Sequence, residues 1–269
     1  VTITRRRAQE LLDRHGVRPS RALGQNFVVD PNTVRRIVRL AGIAPGDRVV
    51  EVGAGLGALT LALVEAGADV TAVELDRHLL PVLDEVLATA EPRPTVVAGD
   101  ALTLDWSAVL AGARRSQLVA NLPYNVATPL VLDVLDRVPG IDRMLVMVQR
   151  EVGERLAAAP GSKAYGIPSV KVAYWAQADV VGRVSPNVFL PRPNVESALV
   201  RIVRRAAPAT DADPDALFAL VRAGFGQRRK MLRGSLAGLI DAATFERAGV
   251  SPEARAEQLS VADWGRLTG

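Results

Sequence analysis

The chain has 269 residues, 49% of them apolar, with no cysteine, two histidines and a net charge of +4. That length suits one large domain or a domain with a small satellite, and the lack of cysteine excludes a disulfide framework and a thiolate metal site. A sequence pI near 9.9 favours an anionic partner, and the absence of a long apolar run argues against a membrane span.

His15 and His78 lie far apart in sequence, so neither a multi-histidine metal centre nor a Ser-His-Asp triad is expected. The stretch from Thr2 to Glu10 is charged and lacks an apolar signal core, which with the missing cysteine fits a cytoplasmic protein. Residues 5–15 predict an amphipathic helix with Leu11 and Leu12 on its apolar face. Arg5, Arg6, Arg7, Arg14, Arg18 and Arg21 make this arm basic, suited either to solvent or to nucleic acid. After a loop from Leu23 to Val28, Asp30 reads as an N-cap and Pro31 as the first residue of a helix that ends near Gly42.

From Arg48 onward, short apolar runs alternate with helical stretches. Strands are expected at 48–52, 70–73, 95–98, 117–120 and 143–148, with helices at 59–65, 77–87, 107–110 and 127–137. This alternation predicts a Rossmann-like α/β fold, a parallel sheet with helices on both faces. Helices at 151–159 and 167–175 and an antiparallel pair at 178–184 and 197–203 follow. Ala206 to Pro214 reads as a linker, and short helices, including 215–225 and 229–239, follow it. The expected division is a catalytic domain with a basic arm over 1–206 and a small helical domain over 207–269.

The chemistry gathers at the strand ends. Gly53, Gly55 and Gly57 between a strand and a helix let a ligand approach the backbone. Glu74 ends the next strand, where a carboxylate can accept hydrogen bonds from two ribose hydroxyls. Gly53, Gly55 and Ala58 also satisfy the dinucleotide pattern G-x-G-x-x-G/A, which leaves an NAD-dependent enzyme open. Asp100 adds a second carboxylate on the same sheet edge, and one acid for ribose with one for an adenine amine suits an adenosine ligand. Asn121 ends the fourth strand and is followed by Leu122, Pro123 and Tyr124. An amide with donors and an acceptor, a backbone stiffened by proline and a flat ring for stacking can hold an amine-bearing base by edge and face. Arg222, Arg228, Arg229, Lys230 and Arg233 form a basic cluster with no acid between them in sequence, a candidate RNA footprint.

Several motifs recur in a specific order: Leu23-Gly24-Gln25-Asn26-Phe27, Glu51-Val52-Gly53-Ala54-Gly55-Leu56-Gly57, Asn121-Leu122-Pro123-Tyr124-Asn125, Gln149-Arg150-Glu151-Val152, the 160–166 loop, Phe189-Leu190-Pro191-Arg192-Pro193 and Phe225-Gly226-Gln227-Arg228-Arg229-Lys230. In this ordered set the chain resembles the KsgA-type small-subunit ribosomal RNA adenine dimethyltransferases, from Leu23 to Leu236. The resemblance implies S-adenosyl-L-methionine as cofactor and dimethylation of two adjacent adenosines in a hairpin near the 3′ end of 16S rRNA. It also implies the small ribosomal subunit as partner, and a monomeric enzyme is expected. By the same resemblance Asn26 and the backbone near Val28 border the cofactor, and Gly53 and Gly55 lie along it. Glu74 holds its ribose, Asp100 its adenine amine, and Asn121 sits beside the transferred methyl. The Asn121 side-chain oxygen and the Leu122 carbonyl would draw on the target amine while Tyr124 stacks on the base, with Phe189 the candidate for its opposite face. Val28 and Ala54 depart from the commonest residues of the family, Leu and Pro, and keep the shape apolar and small.

Three rivals remain at this level. The related Erm-type enzymes methylate large-subunit rRNA; Ala127-Thr128-Pro129 and Lys163-Ala164-Tyr165-Gly166 favour the KsgA side. An NAD-dependent dehydrogenase leaves Asn121 to Tyr124 without a role. A non-catalytic ribosome-assembly factor would keep the fold and lose the transfer.

Overall fold

The structure, a computed structural model, describes residues 3–111, 115–123 and 125–269. Helix α1 (Arg5–Arg14) is capped by the Thr4 hydroxyl, and a two-residue strand β1 (Phe27–Val28) follows. Helix α2 (Pro31–Ala41) starts where Asp30 accepts the Thr33 N–H and stops at Gly42, whose φ of 66° is left-handed. Then come β2 (Arg48–Val52), α3 (Ala58–Glu65), β3 (Asp69–Glu74), α4 (Leu80–Leu87), β4 (Thr95–Ala98), α5 (Trp106–Val109), β5 (Ser116–Asn121), α6 (Ala127–Arg137) and β6 (Ile141–Gln149). Helices α7 (Arg150–Leu156) and α8 (Ile167–Trp175) lead to β7 (Ala176–Val184), β8 (Phe189–Leu190) and β9 (Ser197–Arg204). The chain closes with α9 (Pro214–Gly226), α10 (Leu232–Ser235), α11 (Ala242–Ala248) and α12 (Val261–Thr268).

Seven strands form one sheet in the order β4-β3-β2-β5-β6-β9-β7. The pairs from β4 through β6 are parallel, and β6 pairs antiparallel with β9. The chain steps outward from β2 to β4 and then returns to place β5 on the other side of β2. At such a reversal two crossovers leave in opposite directions, and a crevice opens at the carboxyl ends of the strands. Val49, Val70 and Val119 share a core with Ile37 of α2 and Leu63 of α3. Their neighbours in sequence, Val50 and Leu118, are equally buried, as a sheet covered on both faces requires.

The chain divides into two compact units, one reaching to Gly153 and including Asp179–Val203, the other comprising Glu154–Ala178 and Arg204–Gly269. A single boundary near residue 207 therefore does not describe the division. Residues 154–178 belong with the C-terminal helices because Tyr165, Val170 and Tyr174 bury their side chains with Phe218, Leu232 and Trp264. That packing joins residues far apart in sequence, and the composition of a linker does not reveal it. The helix expected over 229–239 is reduced to α10, flanked by a turn at Gly238 with φ of 79°. Strands β1 and β8 were expected as loop and are an antiparallel pair, Phe27 opposite Leu190 and Val28 opposite Phe189.

In the second unit Gly224, inside α9, lies beneath Trp264, and a Cβ there would come within 2.6 Å of the indole. Alanine for glycine in a helix interior ordinarily stabilises by about 0.5–1 kcal/mol, whereas overpacking a filled core costs about 1–3 kcal/mol. Since Trp264 is fully buried, packing wins. Gly224→Ala is expected to destabilise the protein by about 1–2 kcal/mol, read as a lower urea midpoint.

Candidate active site

A cleft open to solvent lies in the first unit and is lined by the ends of β2, β3 and β5 and by the loop from Leu23 to Phe27. Gly53 and Gly55 form its floor with φ values of 75° and 59°, and Gly57, packed against α4, completes the turn with φ of 81°. Side-chain-bearing residues rarely adopt this left-handed region. A Cβ on Gly55 would also stand 2.9 Å from the Phe27 ring, so the turn requires glycine twice over.

Glu74 is only 6% exposed at the end of β3. Its two oxygens accept the Gly55 N–H at 2.8 Å and the Asp76 N–H at 2.9 Å, which fixes the carboxylate before any ligand arrives. Burial pushes its pKa up, and the Asp76 and Gly55 amides oppose that shift. Asp100, half-buried after β4, accepts the Leu102 N–H through Oδ1 at 2.9 Å. Gly99 beside it donates to the Glu74 carbonyl at 3.0 Å, so the two acids stand on hydrogen-bonded neighbouring strand ends.

Asn121 closes β5. Its Nδ2 donates to the Asn26 carbonyl at 2.8 Å, which leaves Oδ1 as an acceptor at the cleft. The Leu122 N–H continues the sheet to the Met147 carbonyl at 3.0 Å, and the Pro123 carbonyl accepts the Val126 and Ala127 N–H groups at the start of α6. The segment's backbone is thus pinned on both sides of the Leu122 carbonyl, which precedes a proline that has no N–H. Tyr124 lies outside the described residues.

Asn26 lines the cleft as expected. At Val28, where the expectation concerns the backbone, the side chain belongs to the core with Val34 and Ile37, and the side chain that faces the cleft is that of Phe27. Successive residues of a strand point to opposite faces, so only one of this pair can do so. Phe189 is 1% exposed and reaches the cleft wall from the core. In the second unit Arg222, Arg229 and Lys230 are exposed. Arg228 is not a free cation: it pairs with Glu257 at 2.6 Å and donates to the Lys163 carbonyl at 3.1 Å. Among the described residues no cluster of three or more His, Cys, Asp or Glu could hold a metal ion, and no helix is long and apolar enough to cross a membrane.

Sequence reasoning missed several lining residues. Leu75 follows Glu74 and is half exposed at the cleft, an apolar surface against which a flat ring can rest. Behind the cleft, Glu51 of β2 is 1% exposed and accepts a hydrogen bond from Thr60 at 2.6 Å. Burial raises its pKa to about 8.

The geometry agrees with likenesses to known proteins. A model of the ribosomal RNA adenine dimethylase family matches residues 17–268. Ribosomal RNA small subunit methyltransferase A of Kineococcus radiotolerans is 51% identical, covering 98% of this chain and 90% of its own. The protein of the same name from Streptomyces coelicolor is also 51% identical, covering 96% and 93%. Among solved structures, the 23S rRNA methyltransferase ErmE superposes with a TM-score of 0.70 at 26% identity, covering 90% of this chain and 98% of its own. A dimethyladenosine transferase from Plasmodium falciparum gives a TM-score of 0.74 at 21% identity, covering 88% and 94%, a likeness of fold.

Fold and cleft define a Rossmann-like, S-adenosylmethionine-dependent methyltransferase. Within that class the chain belongs to the ribosomal RNA adenine dimethylase family. The cleft fits such a cofactor on its own terms. Its floor has no Cβ to obstruct a ligand, and two fixed carboxylates offer acceptors to hydroxyl and amine donors.

Glu51 gives a pH test. Folded, it holds its proton up to about pH 8, against an ordinary 4.5. Between those values the folded state binds the extra proton. This group's contribution is therefore most favourable below about pH 4.5 and is lost as pH rises through about 8. Glu51→Gln keeps an acceptor for Thr60 and removes the titration. Its urea midpoint is expected to exceed that of the parent by more at pH 8 than at pH 5.

Proposed function

We propose that this chain dimethylates the exocyclic amines of two adjacent adenosines in the 3′-terminal hairpin of small-subunit ribosomal RNA. It does so as a cytoplasmic monomer and without a metal. The observation that carries this reading is the fixed Asn121 side chain. The bond from its Nδ2 to the Asn26 carbonyl dictates that Oδ1 accepts, and the Leu122 carbonyl lies one residue along a pinned backbone. An adenine amine is a weak nucleophile because its lone pair is delocalised into the ring. Two acceptors engaging its two protons draw the nitrogen toward tetrahedral geometry and aim the lone pair. Bound S-adenosylmethionine supplies an electrophilic methyl on a sulfonium, a good leaving group that requires neither a metal nor a strong base.

The chain's contribution is then chiefly placement. Glu74, held by Gly55 and Asp76, accepts from the cofactor's ribose hydroxyls, and Asp100 accepts from its adenine amine. Gly53 and Gly55 lie along its amino-acid part, with Asn26 at the border. Leu75 and Phe27 supply apolar contact at positions the sequence reading did not assign, with the backbone near Val28 bordering the cofactor. Tyr124 is assigned to the face of the flipped base, as enzymes acting on a base need it unstacked, with Phe189 behind the pocket. The choice of small-subunit rRNA is supported by relatives near 50% identity bearing that name. The large-subunit alternative is represented by a structure at 26% identity. The RNA footprint includes Arg222, Arg229 and Lys230, with Arg228 partly neutralised by Glu257.

Incubation with labelled S-adenosylmethionine, unmethylated small subunits and protein-free large-subunit rRNA, followed by mass mapping, tests the assignment. Dimethyladenosine at two adjacent small-subunit positions is expected, and label confined to large-subunit RNA would overturn it. Asn121→Ala is expected to lower turnover on the order of 10²–10³-fold while calorimetry still detects cofactor binding. Neutralising Arg229 and Lys230 together is expected to lower the slope of log affinity for RNA against log salt by about 1–2. Neutralising Arg228 alone should change it less.

A further inference from the structure

Asn121 is oriented by a carbonyl that belongs to a distant segment, so whatever holds that segment also holds Asn121. Downstream of Asn26 the hold is a small sheet: Phe27 and Val28 pair with Leu190 and Phe189, and the Val29 N–H donates to the Val188 carbonyl at 2.8 Å. Upstream there is no strand. The turn there is closed by the Leu23 N–H to Ser20 Oγ, the Gly24 N–H to the Arg21 carbonyl and Asn26 Nδ2 to the Gly24 carbonyl, and the side chain that ties it to another segment is Gln25. Its Oε1 accepts the Ser20 N–H at 2.7 Å, and its own N–H donates to the Ser20 carbonyl at 3.1 Å, which closes the loop on itself. Its Nε2 donates to Asp76 Oδ2 at 2.7 Å, which ties the closed loop to the residues after β3.

Asp76 is itself fixed. Its Oδ1 accepts the His78 N–H at 3.0 Å, and its N–H donates to Glu74 Oε1 at 2.9 Å. A continuous chain of hydrogen bonds and peptide links therefore runs from Glu74 through Asp76, Gln25 and Asn26 to Asn121. An ionised Asp76 can only accept, so the partner at position 25 must donate toward it while accepting from Ser20. A side-chain amide meets both demands at once, and a carboxylate does not.

We propose that Gln25 is a positioning residue for methyl transfer: by latching the 20–26 loop to Asp76 it sets the Asn26 carbonyl, which sets the acceptor oxygen of Asn121. This rests on the assignment of Asn121 made above. Gln25 also lines the cleft, and through this relay its effect falls on how often Asn121 is correctly aimed.

Reversing the polarity of the latch tests the relay. Gln25→Glu opposes two carboxylates and breaks it. Gln25→Glu combined with Asp76→Asn lets the new amide donate to the new carboxylate, while the asparagine oxygen still accepts from His78. At saturating cofactor, the single variant is expected to lose turnover by about 10–100-fold, the cost of a small misplacement, and the double variant to recover most of it. The second readout is independent of activity: the side-chain NH₂ resonance of Asn121, identified by its loss in Asn121→Ala. It should be rigid in the parent, mobile in Gln25→Glu and rigid again in the double variant. An unchanged Asn121 resonance in a folded Gln25→Glu protein would overturn the proposal, as would a defect confined to cofactor KM or a double variant no better than the single. If the parent methylates no ribosomal RNA, the functional reading fails, and the resonance still decides whether Gln25 holds Asn121.

Discussion

The hydrogen bond from Asn121 Nδ2 to the Asn26 carbonyl joins parts of the chain 95 residues apart. Most of the cleft's geometry depends on it. An asparagine amide free to rotate presents donor and acceptor to a ligand about equally. Once one N–H of its NH₂ is committed to a carbonyl, the amide can no longer turn, and its oxygen is held on the opposite side as an acceptor. In the proposed reading, selectivity for a donor such as an amine thus comes from a backbone group on another segment. That segment must be in place before the chemistry has a direction, which is why the residues ahead of the sheet form part of the site.

The same economy of groups governs the acids. A carboxylate taken from water loses solvation and drifts toward its neutral form unless N–H groups replace the lost bonds. Glu74 receives two such groups, so it can face a ligand although it is nearly buried. Glu51 receives a hydroxyl from Thr60 and no backbone amide, and its pKa rises to about 8. Two glutamates on adjacent strands are therefore held differently, for a reason that can be counted in hydrogen bonds. The one at the cleft is solvated by the protein, and the one beneath the glycine turn is neutral below about pH 8.

Much of this was legible in sequence because it is local or periodic. The strand–helix alternation fixed the parallel sheet, Asp30 and Gly42 marked the ends of a helix, and Gly53, Glu74, Asp100 and Asn121 fell on strand ends. What was illegible is non-local. Phe27-Val28 is too short to show a period, and its partner, Phe189-Leu190, lies about 160 residues on. The choice between Phe27 and Val28 as the cleft-facing residue depends on that pairing. Tyr165 and Tyr174 read as parts of a loop and a helix, and only the buried surface of Phe218 and Trp264 shows which unit they complete. Arg228 looked free because its acid, Glu257, comes 29 residues later.

A site assembled from such distant parts needs its order to be established on folding. A cleft whose loop had to freeze around each ligand would offset binding free energy by the entropy of ordering that loop and its side chains, roughly 0.5–1.5 kcal/mol for each immobilised long side chain. Here the loop is already closed by Ser20 and Gln25, latched to Asp76 and continued into the β1–β8 pair. The ordering cost is met by folding, and the same latch that holds the loop beside the cleft holds the carbonyl that orients Asn121, the acceptor proposed for the amine. Cofactor side and base side therefore share one rigid element. Aiming a delocalised lone pair, the task proposed for Asn121, depends on such rigidity because a small misplacement of the reacting atoms is costly.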